Sequence, residues 1–168
     1  MIKSLILIFC LFNPIQMTLL PEDYLGEGVD SFSQFKHKKE FYGIRSYSDT
    51  LSKHYFGKEI TSITVSTDMK DIIYAVDIYP KEYLDGNFLN QLIKVYGLPD
   101  LIQKRKVIKS IETNENDFMK FEKIQYNIIN CQLDEKPNEI KWTKLGFDII
   151  VHPEGLNGNG TIRFITTK

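Results

Sequence analysis

Cysteine is nearly absent from this chain of 168 residues: Cys10 and Cys131 are its only two. Neither belongs to a C-x-x-C pair, and the three histidines, His37, His54 and His152, show no H-x-x-x-H spacing, so no zinc-ligand pattern is present and no metal site is expected. An excess of positive charge is also lacking. With 21 Lys and Arg against 22 Asp and Glu, the net charge is -1, which gives no basic field to gather nucleic acid. There is no G-x-S-x-G elbow for an activated serine, and no phosphate-loop Lys-Ser/Thr follows the glycine-rich "HPEGLNGNG". Nucleic acid, bound nucleotide and cofactor chemistry are therefore not expected.

Long apolar runs are missing too. The longest is Leu5 to Phe12 ("LILIFCLF"), preceded by Lys3 and followed by Asn13 and Pro14. A positive start, a short apolar stretch and a breaker read as an export signal over residues 1–20. Eight residues rise only about 12 Å as a helix against roughly 30 Å of hydrocarbon, so no span is expected in the mature chain. Removing residues 1–20 leaves Cys131 alone, which excludes an internal disulfide and suits a periplasmic or secreted protein whose core suffices without one.

What the chain does have is a globular composition, 42% hydrophobic, 26% charged and 12% aromatic. Residues 21–40 are polar and lack sustained periodicity, which predicts an extended lead-in; a single domain over 41–168 follows. Ser48 as N-cap and Gly57 as terminator predict a short helix over about 49–56. Ile63, Val65 and Thr67, then Ile72, Tyr74, Val76 and Ile78, alternate as a strand hairpin whose other face holds Asp77 and Tyr79. Leu84, Phe88, Leu89, Leu92, Ile93 and Tyr96 recur at helical spacing, with Asp85 or Asn87 as start and Gly97 and Pro99 as stop. Strands are then expected in "LIQKRKVIKSI" (readable also as helix), "FMKFEKIQYNIINCQL", "EIKWTKLGFDIIV" and "TIRFITT". The second of these changes apolar phase between Ile128 and Ile129, as a bulge or bend would require. The sum is an α+β fold: one antiparallel sheet with two helices packed on one face. "LSKHYFG" and "LIKVYG" each end an expected helix, which suggests two helix-hairpin repeats.

The helix end Leu-x-Lys-x-Tyr-Gly-x-Pro, Leu92 to Pro99, followed by strands bearing a lone Trp142, resembles small exported bacterial proteins. The helix-hairpin order resembles the beta-lactamase inhibitor proteins and related small outer-membrane lipoproteins. That resemblance implies an exported binding scaffold and carries over no catalytic residue, because the paired cysteines of the inhibitors and the lipidated cysteine of the lipoproteins are both missing.

The residues that fit such a role are Tyr47, Tyr79, Tyr126 and Trp142, which would form a partner-binding surface if they shared an uncovered sheet face, because large rigid rings bury much area at little entropic cost. The polar loops at 68–71 and 152–160 would flank it, the latter bringing His152 and Glu154. Lys104, Arg105, Lys106 and Lys109 read as a solvated strand face. The expected function is non-catalytic binding of another protein or an envelope component. Two alternatives stand beside it: a small envelope hydrolase using His152 and Glu154, and an immunity-type inhibitor of a toxin or enzyme.

Overall fold

The computed structural model describes residues 20–41, 44–49, 53–116, 119–154 and 158–167; the expected export signal lies outside them except for Leu20. Alternating apolar and polar residues make ten strands, numbered here in chain order. They are β1 (His37–Phe41), β2 (Ile44–Asp49), β3 (Lys53–Tyr55), β4 (Lys58–Thr67), β5 (Ile73–Pro80), β6 (Leu101–Asn116), β7 (Met119–Asn130), β8 (Glu139–Lys144), β9 (Phe147–His152) and β10 (Thr161–Thr166). All pairings are antiparallel, in the order β1-β2-β4-β5-β10-β9-β8-β6-β7, with β3 also on β4. The C-terminal strand thus sits mid-sheet, between β5 and β9.

One α-helix, α1 (Gly86–Tyr96), links β5 to β6. Asp85 caps it, its carboxylate accepting from Phe88 N at 2.9 Å, and Gly97 ends it with φ 81°. Phe88, Leu89, Leu92 and Tyr96 form its buried stripe. They pack on the sheet face bearing Val65, Val76, Ile78, Ile140, Trp142, Ile149, Val151, Ile162 and Phe164. The opposite face has no helix on it among the described residues.

The expectation of two helices on the sheet is corrected: the described residues hold ten strands and one helix of this length, so the fold is predominantly antiparallel β. In place of the helix over 49–56, Asp49 ends β2 and Lys53–Tyr55 forms β3; residues 50–52 lie outside the described set. The cause is visible at both ends of the segment. The Ser48 hydroxyl bonds across the sheet to Thr64 at 3.1 Å instead of capping a helix. Phe56 (φ 46°) and Gly57 (φ 78°) are both left-handed, the requirement of a two-residue hairpin turn between Tyr55 and Lys58. Lys53–Gly57 of "LSKHYFG" therefore belongs to a strand and its turn, and the helix-hairpin repeat falls with it.

Residues 21–36 also differ from the expected lead-in. Two single turns of 3-10 helix, Pro21–Tyr24 and Val29–Ser31, bring Tyr24 and Val29 into the core, where Phe35 joins them. Tyr24, Phe32 and Phe35 stack edge to face, with centroids 4.7 to 6.3 Å apart. The Tyr96 hydroxyl donates to Glu22 at 2.9 Å and lies 3.4 Å from the Tyr55 hydroxyl, tying this segment to α1 and β3. The folded core accordingly begins well before Phe41.

Strands β6 and β7 form the longest hairpin. Only Leu101–Gln103 of β6 pairs with β8; everything beyond pairs, among the described residues, with β7 alone, as a two-stranded arm roughly 40 Å long at about 3.3 Å per residue. Ile108 is an extra residue in β6, between the Val107–Tyr126 and Lys109–Gln125 pairs, so the bulge is on β6 and not at Ile128–Ile129. Those two residues alternate regularly. Their sides differ in use: Ile129 is half-buried, whereas Ile128 is exposed on the helix-free side.

Candidate functional site

The strand registers decide which face each expected site residue occupies. Tyr47 pairs with Val65 and so faces the helix side, where its hydroxyl donates to Asp71 Oδ1 at 2.9 Å. Burial, then the Asp71 carboxylate, push its phenol above the usual range. Trp142, paired with Ile149, is fully buried at 0% exposure, and its indole N–H donates to the Gly97 carbonyl at 2.8 Å. Lys144 donates to the neighbouring Tyr96 carbonyl. The lone tryptophan thus closes the carboxyl end of α1, and a surface role for it is corrected: a ring whose polar edge satisfies a helix terminus has no reason to face solvent.

Tyr79 and Tyr126 do lie on the helix-free face. Tyr79 is two residues beyond Asp77, which pairs with Arg163 across that face. Tyr126 shares its side of the arm with Ile124 and Ile128, across from Val107 and Arg105. The four apolar positions and the bulged Ile108 are between 45% and 62% exposed. Arg105 stacks its guanidinium carbon 4.9 Å from the Tyr126 ring centre.

Where this arm leaves the sheet, a pocket of about 500 Å³ opens. Tyr79 and Pro80 at the end of β5, Arg105 on β6, Asn138, and His152 with Thr161 across the β9–β10 pair form its lining, with Glu154 and Asn159 on the connecting loop. The expected loop at 152–160 therefore reaches the site, though residues 155–157 lie outside the described set.

Hydrogen bonds fix much of this wall. The Asn138 side-chain oxygen accepts from Arg105 N at 2.6 Å, and Asn138 N donates to Gln103 O at 2.8 Å, so this residue is pinned to the root of the arm. His152 Nδ1 lies 3.0 Å from the Asn138 carbonyl. A carbonyl only accepts, so Nδ1 carries the proton and Nε2 remains for other contacts. Thr61 donates to Tyr79 O at 2.9 Å. Burial, then nearby Asp77, raise the Tyr79 phenol above its usual range, which keeps it a neutral donor. The loop is locked from behind: Leu84 N donates to Pro153 O and Gly160 N to Glu82 O, both at 3.1 Å. A Cβ on Gly160 would stand 2.4 Å from Leu84 Cγ, so glycine is required by close approach and not by its backbone angle.

The second expected loop, at 68–71, is occupied internally. Asp68 accepts from Lys70 N and Ile72 N at 2.8 and 3.0 Å, and Asp71 holds Arg45 at 2.9 Å. His152 and Glu154 meet at the pocket, but no hydrogen bond or ion pair joins them among the described residues. Cys131 is half-buried away from this lining, and burial, then Glu135, push its thiol up, away from the thiolate form a nucleophile needs.

Sequence reasoning missed Arg105 and Asn138 as site residues. Arg105 sits within a basic run and Asn138 within a turn; only the sheet order, which seats β6 beside β8 and one strand away from β9, brings either to His152. No known protein family, curated protein or solved structure matches this chain.

Proposed function

We propose that this chain is an exported, non-catalytic binding protein that engages another protein or an envelope component through the helix-free face of its sheet. One observation carries the reading: the arm presents Val107, Ile108, Ile124, Tyr126 and Ile128 to solvent, and the Arg105–Tyr126 stack joins this apolar strip to the pocket at its root. A two-stranded ribbon is marginal in water, and clustered exposed apolar side chains mark contact sites. Elsewhere on that face charges are paired with one another, Asp77 held by Arg163 at 2.6 and 3.0 Å and Asp148 by Lys141 at 2.6 Å. The arm and its root are therefore where the face is free to bind. The committed Thr61 hydroxyl and the protonated Cys131 thiol favour binding over hydrolysis at His152 and Glu154.

The test is affinity capture from an envelope extract with the wild-type chain and with an Ile124→Ser, Tyr126→Ser, Ile128→Ser variant. These side chains are solvent-facing, so the domain fold is retained, as circular dichroism would check. A partner recovered by the wild type and lost by the variant supports the reading. Equal recovery by both, or none by either, contradicts it.

A further inference from the structure

We propose that the pocket at the root of the arm is a carboxylate site, taking an organic acid or the carboxylate end of a polypeptide, with Arg105 as the anchoring cation and Tyr79 and Pro80 as the apolar wall. This deepens the reading above by naming the group a partner would offer. It stands separately from it, because free small acids test it without any contact to the exposed apolar strip of the arm.

The inference follows from which hydrogen-bonding groups of the lining are already used. A guanidinium carries five N–H donors in its plane. The Arg105 guanidinium carbon lies 4.9 Å from the Tyr126 ring centre, and among the described residues no hydrogen-bond acceptor meets the guanidinium. At Asn138 the oxygen is taken by Arg105 N, so the amide NH₂ is what remains. At His152 Nδ1 donates to the Asn138 carbonyl, which leaves Nε2. Tyr79 adds a neutral hydroxyl. The neighbouring acids do not compete: Asp77 is held by Arg163, Asp148 by Lys141, and Glu139, across from Gln103 on the same face, makes no ion pair with Arg105.

The Arg105 guanidinium and the Asn138 amide are thus donors left over, and the single carboxylate of the lining, Glu154, is exposed. That balance fits one negative charge. A doubly charged phosphate would meet only one fixed cation and would be repelled by Glu154, whereas a planar carboxylate matches the fork of one arginine. The volume of about 500 Å³ also leaves room for an apolar body against Tyr79 and Pro80.

The experiment is a backbone and side-chain NMR titration of the full chain with benzoate, benzamide and inorganic phosphate. N-acetyl-Gly-Phe is added in parallel, with its carboxylate free or amidated. Benzoate should move the signals of Tyr79, Arg105, Asn138 and His152 together, and benzamide and phosphate should not. A response to benzoate alone supports the proposal with a free small acid as occupant; a response also to the free-acid peptide, and not to its amide, supports it with a polypeptide end. Arg105→Gln should weaken benzoate by at least about tenfold, since a charge-assisted bidentate contact is lost. Arg105→Lys should fall between the two, and Lys94→Gln on α1 should change nothing. The proposal is overturned if neither acid shifts these signals, if benzamide or phosphate binds as well as benzoate, or if Arg105→Gln binds benzoate as the wild type does.

Discussion

Replacing Gly160 by alanine probes the wall of the pocket through a single added carbon. The backbone angle at Gly160 is open to any residue, so the cost is steric and lies in the surroundings. The new Cβ would stand 2.4 Å from Leu84 Cγ, 2.9 Å from Leu84 Cδ1 and 3.1 Å from the Pro153 carbonyl oxygen. Leu84 is buried and cannot swing into water. The strain must be taken up by the Leu84 rotamer or by the paired backbone bonds to Pro153 and Glu82, at a cost of about 1–3 kcal/mol, as for other overpacked positions. Leu84→Ala alone removes both clashing atoms and leaves a cavity, costing roughly 2–5 kcal/mol. In that background Gly160→Ala should cost less than about 0.5 kcal/mol, so the pair is strongly non-additive. Urea denaturation of the four chains measures this, provided the dependence on denaturant is the same in each. An equal cost of Gly160→Ala in both backgrounds, or none in the wild type, would refute the close-approach reasoning.

Three further outcomes follow from the same structure. Trp142→Phe should destabilise by at least about 1 kcal/mol in urea melts, because the Gly97 carbonyl loses its indole donor and the smaller ring leaves a gap in a fully buried site; an unchanged midpoint would mean that the indole bond is not formed. Burial raises the Glu22 carboxyl above its ordinary range, so the folded chain binds that proton more tightly than the unfolded one, and the associated stability is present in acid and lost as pH rises through the folded value. Glu22→Gln keeps an acceptor for the Tyr96 hydroxyl without the charge, and should therefore gain stability over the wild type at neutral pH and lose that advantage in acid; the reverse trend would count against burial as the cause. Amides of Lys106, Val107, Gln125 and Tyr126 should exchange with solvent far faster than those of β5, β9 and β10, as hydrogen-exchange NMR can check, because two strands without a third are marginal.

The elements legible in the sequence are those whose signals are local. The Asp85 cap, the apolar stripe from Leu84 to Tyr96 and the Gly97 stop predict α1 because a helix satisfies its own backbone. The alternation Ile63, Val65, Thr67 predicts β4 for the same reason of period. It fails in β5 at Tyr74, where a bulge brings Ile73 in place of Ile72 onto the core side. Ser48 and Gly57 carry signals that serve two structures: a hydroxyl caps a helix or crosses a sheet, and a left-handed glycine ends a helix or turns a hairpin. Only the neighbours Thr64 and Lys58 decide between them. Tyr24, Phe32 and Phe35 bury themselves without any period, so their place in the core could not be read in advance. The loop holding His152 and Glu154 was visible from its composition, whereas Arg105 and Asn138 become site residues only through the order of strands distant in sequence.

The central claim is that recognition resides on the helix-free face at the arm. It is tested most directly by placing a photo-crosslinking phenylalanine analogue at Tyr126 and, in a second chain, at Val95, which is equally exposed but on α1. Illumination of each chain in an envelope extract should give a discrete adduct from position 126 and none from position 95. Adducts of the same mass and yield from both positions, or from position 95 alone, would contradict the account.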